Sequence, residues 1–273
     1  MRLALLQWKR LDNRVDNMEV VTRKIEAVMK DQKPRLICLP EHFSKKSGYH
    51  RDPETVKDGY CSQRLSELAR KHEVYIVGGT VPEKGKDDAV YSMCTVWSPK
   101  GHLVAKYRKV HLFDVDVKGG ITYSESARFT PGSEFSIFEV DGHKIGLGVC
   151  HDIRFEEMAR VYRNAGCEMI IYPSDFAVYT GLIHVELLQR SRANDNQLFV
   201  VTSSPARDNT EKHVSFAHSM VVDPWARVQA CAGEGEATVV TDIDFSMVAK
   251  VREELPIYRQ RRLDLYPDQE YLI

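Results

Sequence analysis

The chain has 273 residues, 43% hydrophobic and 28% charged, enough for one large globular unit with a substantial core. Its 38 Lys and Arg nearly cancel 39 Asp and Glu, and no basic stretch dominates, which argues against nucleic acid or an anionic membrane as the main partner. No apolar run approaches the ~20 residues of a membrane span, and the N-terminal apolar stretch is too short for a secretory leader.

In chain order, residues 2–7 predict a strand and residues 15–29 an amphipathic helix, with Val15, Met18, Val21, Ile25, Val28 and Met29 at helical spacing. A short apolar strand at 36–39 ends at Pro40 and Glu41. Ser62 is expected to cap a helix through about residue 71. Strands follow at 74–77, 90–97 and 103–108, the last two forming a hairpin around Ser98-Pro99-Lys100-Gly101. Asp141-Gly142 marks a second hairpin between 135–140 and 144–149. Helices are expected at 155–164 and 182–195, strands at 169–172, 199–203, 219–222, 228–231 and 238–242, and a last helix at 246–254. The order suggests two similar halves, each a sheet covered by two helices. Two such sheets packed face to face give an α/β fold, a four-layer α-β-β-α sandwich with two mixed sheets. No linker, low-complexity run or charge block divides the chain.

Six cysteines, Cys38, Cys61, Cys94, Cys150, Cys167 and Cys231, are widely spaced and form no C-x-x-C pair. That spacing points to free thiols in a reducing compartment and away from structural zinc. No metal-ligand cluster or G-x-G-x-x-G pattern stands out, so neither a metal nor a dinucleotide cofactor is expected.

Cys150 is set apart by its place. The run Ile145-Gly146-Leu147-Gly148-Val149 stops at Cys150, and a helical pattern begins. A thiol at a helix start is expected to feel the helix dipole and lose its proton more easily, next to free N–H groups able to hold an oxyanion. Glu41 also ends a strand and can act as a base; by itself it reads as a solvated loop glutamate. Lys109, after the strand 103–108, can face an oxyanion; by itself it reads as a surface charge. Ends of strands on one sheet edge converge, and this draws the three together.

The blocks Leu39-Pro40-Glu41, Tyr107-Arg108-Lys109-Val110-His111-Leu112 and Gly148-Val149-Cys150-His151-Asp152-Ile153-Arg154-Phe155 resemble, in order and spacing, the three signatures of the nitrilase superfamily of carbon–nitrogen hydrolases. The resemblance runs nearly end to end and is strongest to the omega-amidase branch. It implies one domain over 1–273, with a C-terminal tail from about residue 256 at a homodimer interface. It implies Cys150 as nucleophile, Glu41 as general base and acid, Lys109 and the His151 backbone N–H on the oxyanion, and Glu125 as a second glutamate near the site. Arg154 is expected to bind a substrate carboxylate, with a local ion pair to Asp152 or Glu157 as the competing reading. His151, Phe43 and Phe176 are expected against the substrate. The implied substrate is a small 2-oxo acid amide, needing no cofactor. Alternatives are another amide, such as deaminated glutathione, or a catalytically idle scaffold. A cytoplasmic home is expected, with a mitochondrial one as the other option. Four positions depart from the branch: His42, His151, Asp175 and Val185. They fall near the expected substrate entrance and bear on specificity.

Overall fold

Along the first strand, Leu3 and Leu5 face one way and Ala4 and Leu6 the other, and all four are fully buried. A strand buried on both faces needs cover on both, and this sets the layers of the fold. The structure, a computed structural model, describes residues 1–118 and 121–265. Its elements are β1 (Arg2–Gln7), α1 (Arg14–Asp31), β2 (Leu36–Cys38), α2 (Tyr60–His72), β3 (Tyr75–Val77), β4 (Val81–Lys84), β5 (Val90–Trp97), β6 (Leu103–Arg108), β7 (Asp114–Asp116), β8 (Thr122–Ser124), β9 (Ser136–Val140), β10 (His143–Leu147), α3 (Glu156–Asn164), β11 (Met169–Pro173), α4 (Val178–Asn196), β12 (Phe199–Ser203), β13 (Met220–Val222), β14 (Val228–Cys231), β15 (Ala237–Asp242) and α5 (Ser246–Glu254).

The first sheet has the order β15-β1-β2-β3-β5-β4, with β6 also paired to β5; the second has the order β14-β13-β12-β11-β10-β9. β1, β2 and β3 are parallel, as are β10, β11 and β12. Ala4, Leu6, Ile37 and Ile76 pack outward against Met18, Val21 and Ile25 of α1 and Leu65 and Leu68 of α2. Leu3, Leu5, Leu36, Cys38 and Val77 face the second sheet, in one core with Met158, Ala159 and Tyr162 of α3 and Val185 and Ala193 of α4. The α-β-β-α sandwich is therefore present. Each fully buried Leu or Ile in it contributes about 1.5–3 kcal/mol.

The chain departs from two matched halves at its end. β15 was expected in the second half, but it pairs antiparallel with β1, Arg2 opposite Asp242, and closes the first sheet. β4 escaped the periodicity because Pro82 interrupts it, which is tolerated on a sheet edge. Ser62 is not the cap of α2. Glu54, eight residues upstream, accepts the backbone N–H groups of Cys61 and Ser62 at 3.1 and 3.0 Å. α4 begins at Val178, four residues before the expected start, with no side-chain cap to announce it.

The tail packs in part on its own chain. Tyr258 bonds Asn164 and stacks under Arg163, so this part of the tail packs on its own α3. Leu263 and Leu265 stay exposed, and Tyr266 lies outside the described residues. No helix among the described residues is long and apolar enough to cross a membrane.

Candidate active site

β2, β6, β10 and β11 all end at one edge of the sandwich, the usual position for chemistry in α/β sheets. After β2 the chain runs through Leu39 and Pro40 to Glu41. It passes so close to β3 that a Cβ on Gly79 would lie 2.1 Å from the Pro40 carbonyl oxygen; Gly79 also has φ +59°, so glycine is required twice over. Lys109 extends β6, its N–H donating to the Ser92 carbonyl at 2.9 Å.

Cys150 follows β10 at the start of a single 3₁₀ turn, Cys150–Arg154, and takes φ +44°, a conformation that costs a non-glycine residue energy. The turn is held by Asp152, which is fully buried. Its carboxylate accepts from the Val149 N–H at 2.7 Å, the Tyr107 hydroxyl at 2.7 Å, and the His111 N–H and Nδ1 at 3.0 and 2.8 Å. One carboxylate thus ties the loop carrying Lys109 to the elbow carrying Cys150. Arg192 of α4 secures the far end, donating to the carbonyls of Ile153 and Arg154 at 2.9 and 2.7 Å. The sequence reading missed both Asp152 and Arg192 as positioning residues. The signal available for Asp152 was its place in the block 148–155.

The Lys109 ammonium lies 2.9 Å from Glu41 Oε1 and 2.9 Å from Glu125 Oε2, and all three side chains are almost wholly buried. Glu125 also accepts the Phe113 N–H at 2.6 Å. Burial opposes the charge on Lys109, but Glu125 and Glu41 outweigh it and hold its pKa well above the usual lysine range. Burial likewise penalises Glu125; Lys109, His42 and the Phe113 N–H reverse that and lower its pKa. The Cys150 thiol shares the cleft with Glu41, Lys109 and Asp175.

The expected depression of the Cys150 pKa is not what the geometry produces. Burial first, and then the negative charge of Glu41, push it well above the ordinary thiol value, against the opposing pull of Lys109 and the Asp175 N–H. The element at Cys150 is one short turn rather than a long helix, so little dipole reaches the sulfur. The thiol is therefore harder to ionise at rest than an ordinary cysteine.

Glu41, His42 and Glu125 place ligand atoms within 4.8 Å of one another, a cluster the sequence reading did not foresee. Lys109 already bonds both carboxylates of this cluster and supplies the positive charge a metal would bring.

These groups line a cleft of about 1060 Å³, together with His151 and Phe176. His151 has a buried Nδ1 without a hydrogen-bond partner among the described residues, and burial followed by Lys109 and Arg154 lowers its pKa to about 4. Phe43 was expected against the substrate, but it is fully buried behind the cleft, its ring edge-on to Trp8 at 6.4 Å. Arg154 does not form part of the cleft wall. Its guanidinium packs over the Phe176 ring at 5.3 Å and lies 3.3 Å from His184 Nδ1. It makes no ion pair among the described residues, so the expected alternative of a pair with Asp152 or Glu157 is not formed.

The departures His42 and Asp175 belong to one buried polar network. Asp175 bonds Arg10 at 2.5 Å and the Ser215 hydroxyl at 2.5 Å, with His213 Nε2 at 3.3 Å, and Arg10 reaches Glu211 at 3.2 Å. Burial opposes the Asp175 charge, but Arg10 and His213 overcome it and hold its pKa well below the carboxylate range. Arg10 lies in the loop after β1 and carried no motif, so nothing in the sequence linked it to the site.

Comparison with known proteins follows the same lines. The carbon-nitrogen hydrolase family model matches residues 2–253. The chain belongs to the carbon–nitrogen hydrolase family. It is 44% identical over 269 residues to the human protein described as omega-amidase NIT2, covering 97% of this chain and 96% of the relative. It is 42% identical over 272 residues to the Danio rerio protein of the same description, covering 97% and 96%. Among solved structures, Saccharomyces cerevisiae Nit3, a member of branch 10 of the nitrilase superfamily, superposes with a TM-score of 0.87 at 34% identity over 96% of each chain. The C. elegans NitFhit protein gives 0.88 at 31% identity over 97% of this chain and 66% of that one. This carbon–nitrogen hydrolase thus shares its whole folded body with those proteins.

Proposed function

We propose that this hydrolase is an omega-amidase that converts a small 2-oxo acid amide, of the 2-oxoglutaramate or 2-oxosuccinamate type, into the 2-oxo dicarboxylic acid and ammonia. The observation that carries the chemistry is the convergence of Cys150, Glu41, Lys109 and Glu125 in one cleft. The substrate class is supported by the omega-amidase relatives, matched over nearly their whole length.

Glu41 takes the thiol proton as sulfur attacks the amide carbon, so no free thiolate is needed at rest. Lys109 faces the oxyanion, with its ammonium charge maintained by two carboxylates. Glu41 then protonates the leaving nitrogen, ammonia departs, and a Cys150 thioester remains. Water gives a proton to Glu41 and attacks the thioester. Collapse releases the acid, and Glu41 returns the proton to sulfur. Glu125 holds Lys109 between the carboxylates. Arg154 is the proposed partner of the substrate carboxylate: it is a partly buried guanidinium over Phe176, which lines the cleft, and it makes no ion pair among the described residues. The His151 Nδ1 is free to bond the 2-oxo group.

The same reading makes the enzyme a homodimer. Tyr179, Leu182, Ile183 and Leu187 form an apolar stripe along α4, each more than half exposed, which a single chain leaves in water.

The test is ammonia release across 2-oxo acid amides, amino acid amides, nitriles and neutral amides, with Cys150→Ala as control. The expected result is turnover confined to 2-oxo acid amides, an acyl adduct on the wild type by intact mass, and none in Cys150→Ala. A folded Cys150→Ala variant with substantial activity overturns the thioester route. Preference for a neutral amide overturns the substrate.

A further inference from the structure

Glu41 and His42 are neighbours in sequence, yet both line the cleft. Consecutive side chains normally diverge. Here His42 takes φ +54°, and its N–H is fixed on Thr80 Oγ1 at 2.8 Å. A left-handed backbone at a non-glycine residue is costly and tends to persist at sites that use it.

The imidazole stands between two carboxylates. Its Nε2 lies 3.5 Å from Glu41 Oε1 and its Nδ1 lies 3.7 Å from Asp175 Oδ2. Asp175 is itself immobilised by Arg10 and Ser215. The Tyr49 hydroxyl bonds Nε2, and the centroids of the two rings lie 3.9 Å apart. Lys109 and Glu125 stand behind Glu41; Arg10 and His213 stand behind Asp175. The Glu41 side chain is 1% exposed and that of His42 is 15% exposed. Glu41 therefore has little contact with bulk water, while the titratable side chain beside it is more open to the cleft.

We propose that His42 is a proton relay between Glu41 and the water of the cleft, with Asp175 as the anion that supports its charged form. Hydrolysis creates a need for such a path. The thioester is released as a carboxylic acid within a site that already holds two carboxylates. In water the product is a carboxylate, so one proton must leave. It passes from the acid to Glu41, the Glu41 O–H bond breaks as an N–H bond forms at His42 Nε2, and the imidazolium loses a proton to cleft water. Dyads of this kind, an imidazole oriented by a carboxylate, are a general means of moving protons.

The role rests on the amidase reading of the same site, so the test uses a reaction that needs no particular substrate. Alkylation of Cys150 by iodoacetamide forms an S–C bond, breaks the C–I bond with loss of iodide, and expels the thiol proton. That proton must travel from Glu41 to water. His42→Gly suits the left-handed backbone and leaves room for imidazole. His42→Asn also tolerates that backbone but carries no proton. The relay requires both variants to alkylate roughly ten-fold slower or more at neutral pH. It also requires added imidazole to restore the glycine variant in a saturable way, and turnover of an amide to follow the same pattern. Wild-type alkylation rates in the variants, or a loss indifferent to imidazole, would overturn it. A wild type that fails on every amide but shows imidazole-dependent alkylation in His42→Gly would count against the amidase reading alone.

Discussion

Replacing Lys109 by Met tests the core of the site, because it removes one charge and little volume. The ammonium makes two contacts of 2.9 Å, to Glu41 and to Glu125, with almost no solvent between them. At an effective dielectric near 20, each such contact is about 6 kcal/mol of gross attraction. Desolvation of the ions offsets much of that, and breaking a buried pair typically leaves a net loss of about 3–5 kcal/mol. Lys109→Met should therefore lose about that much stability in urea at pH 7. The loss should grow as pH rises. Two buried carboxylates without a cation cannot both ionise, so one keeps a proton in the folded state that it gives up on unfolding. A group whose folded pKa is raised contributes stability below its unfolded value and loses it as pH climbs. Turnover should fall by about 10²–10³ or more, since the oxyanion loses its cation. Adding Glu125→Gln removes one of the stranded charges. The double variant should recover at least about 1 kcal/mol, while its turnover stays low. A single variant that loses less than about 1 kcal/mol, or keeps turnover within ten-fold of wild type, would refute the reasoning.

Three further outcomes are expected. His151 is held neutral in the fold, with its pKa lowered to about 4, while the unfolded chain titrates near 6.5. The unfolded state therefore binds more protons between these values, and stability should fall as pH drops through that window; melting curves at several pH values should flatten there in His151→Phe relative to wild type. Arg154→Lys loses the guanidinium fork, so KM for 2-oxo acid amides should rise while a neutral amide is little affected; equal losses on both would show that Arg154 does not select the ligand. The chain should sediment at about 63 kDa, twice its 31.3 kDa, at micromolar concentration, and Leu182→Glu with Leu187→Glu should give the single chain; an unchanged mass in that variant would place the interface elsewhere.

The sequence by itself determined the layers and picked out three of the groups that meet in the cleft. Burial of β1, β11 and β12 on both faces is written in continuous apolar runs of strand length. Glu41, Lys109 and Cys150 each stand at the end of such a run, and strand ends meet at a sheet edge whatever the details. Local pattern could not show what depends on distant partners. β15 joins the first sheet because Arg2–Gln7 offers it an open edge, a pairing across 230 to 240 residues. Phe43 looks like a pocket residue until Trp8 is seen against it. The Cys150 thiol looked activated from its junction alone. Burial and the charge of Glu41, fixed only by packing, decide its resting state the other way. His42 and Asp175 read in the sequence as isolated departures. They become one proton-handling network only when β1 delivers Arg10 and the loop after β12 delivers Ser215 to the same buried corner, because electrostatics acts through space and the sequence records only order.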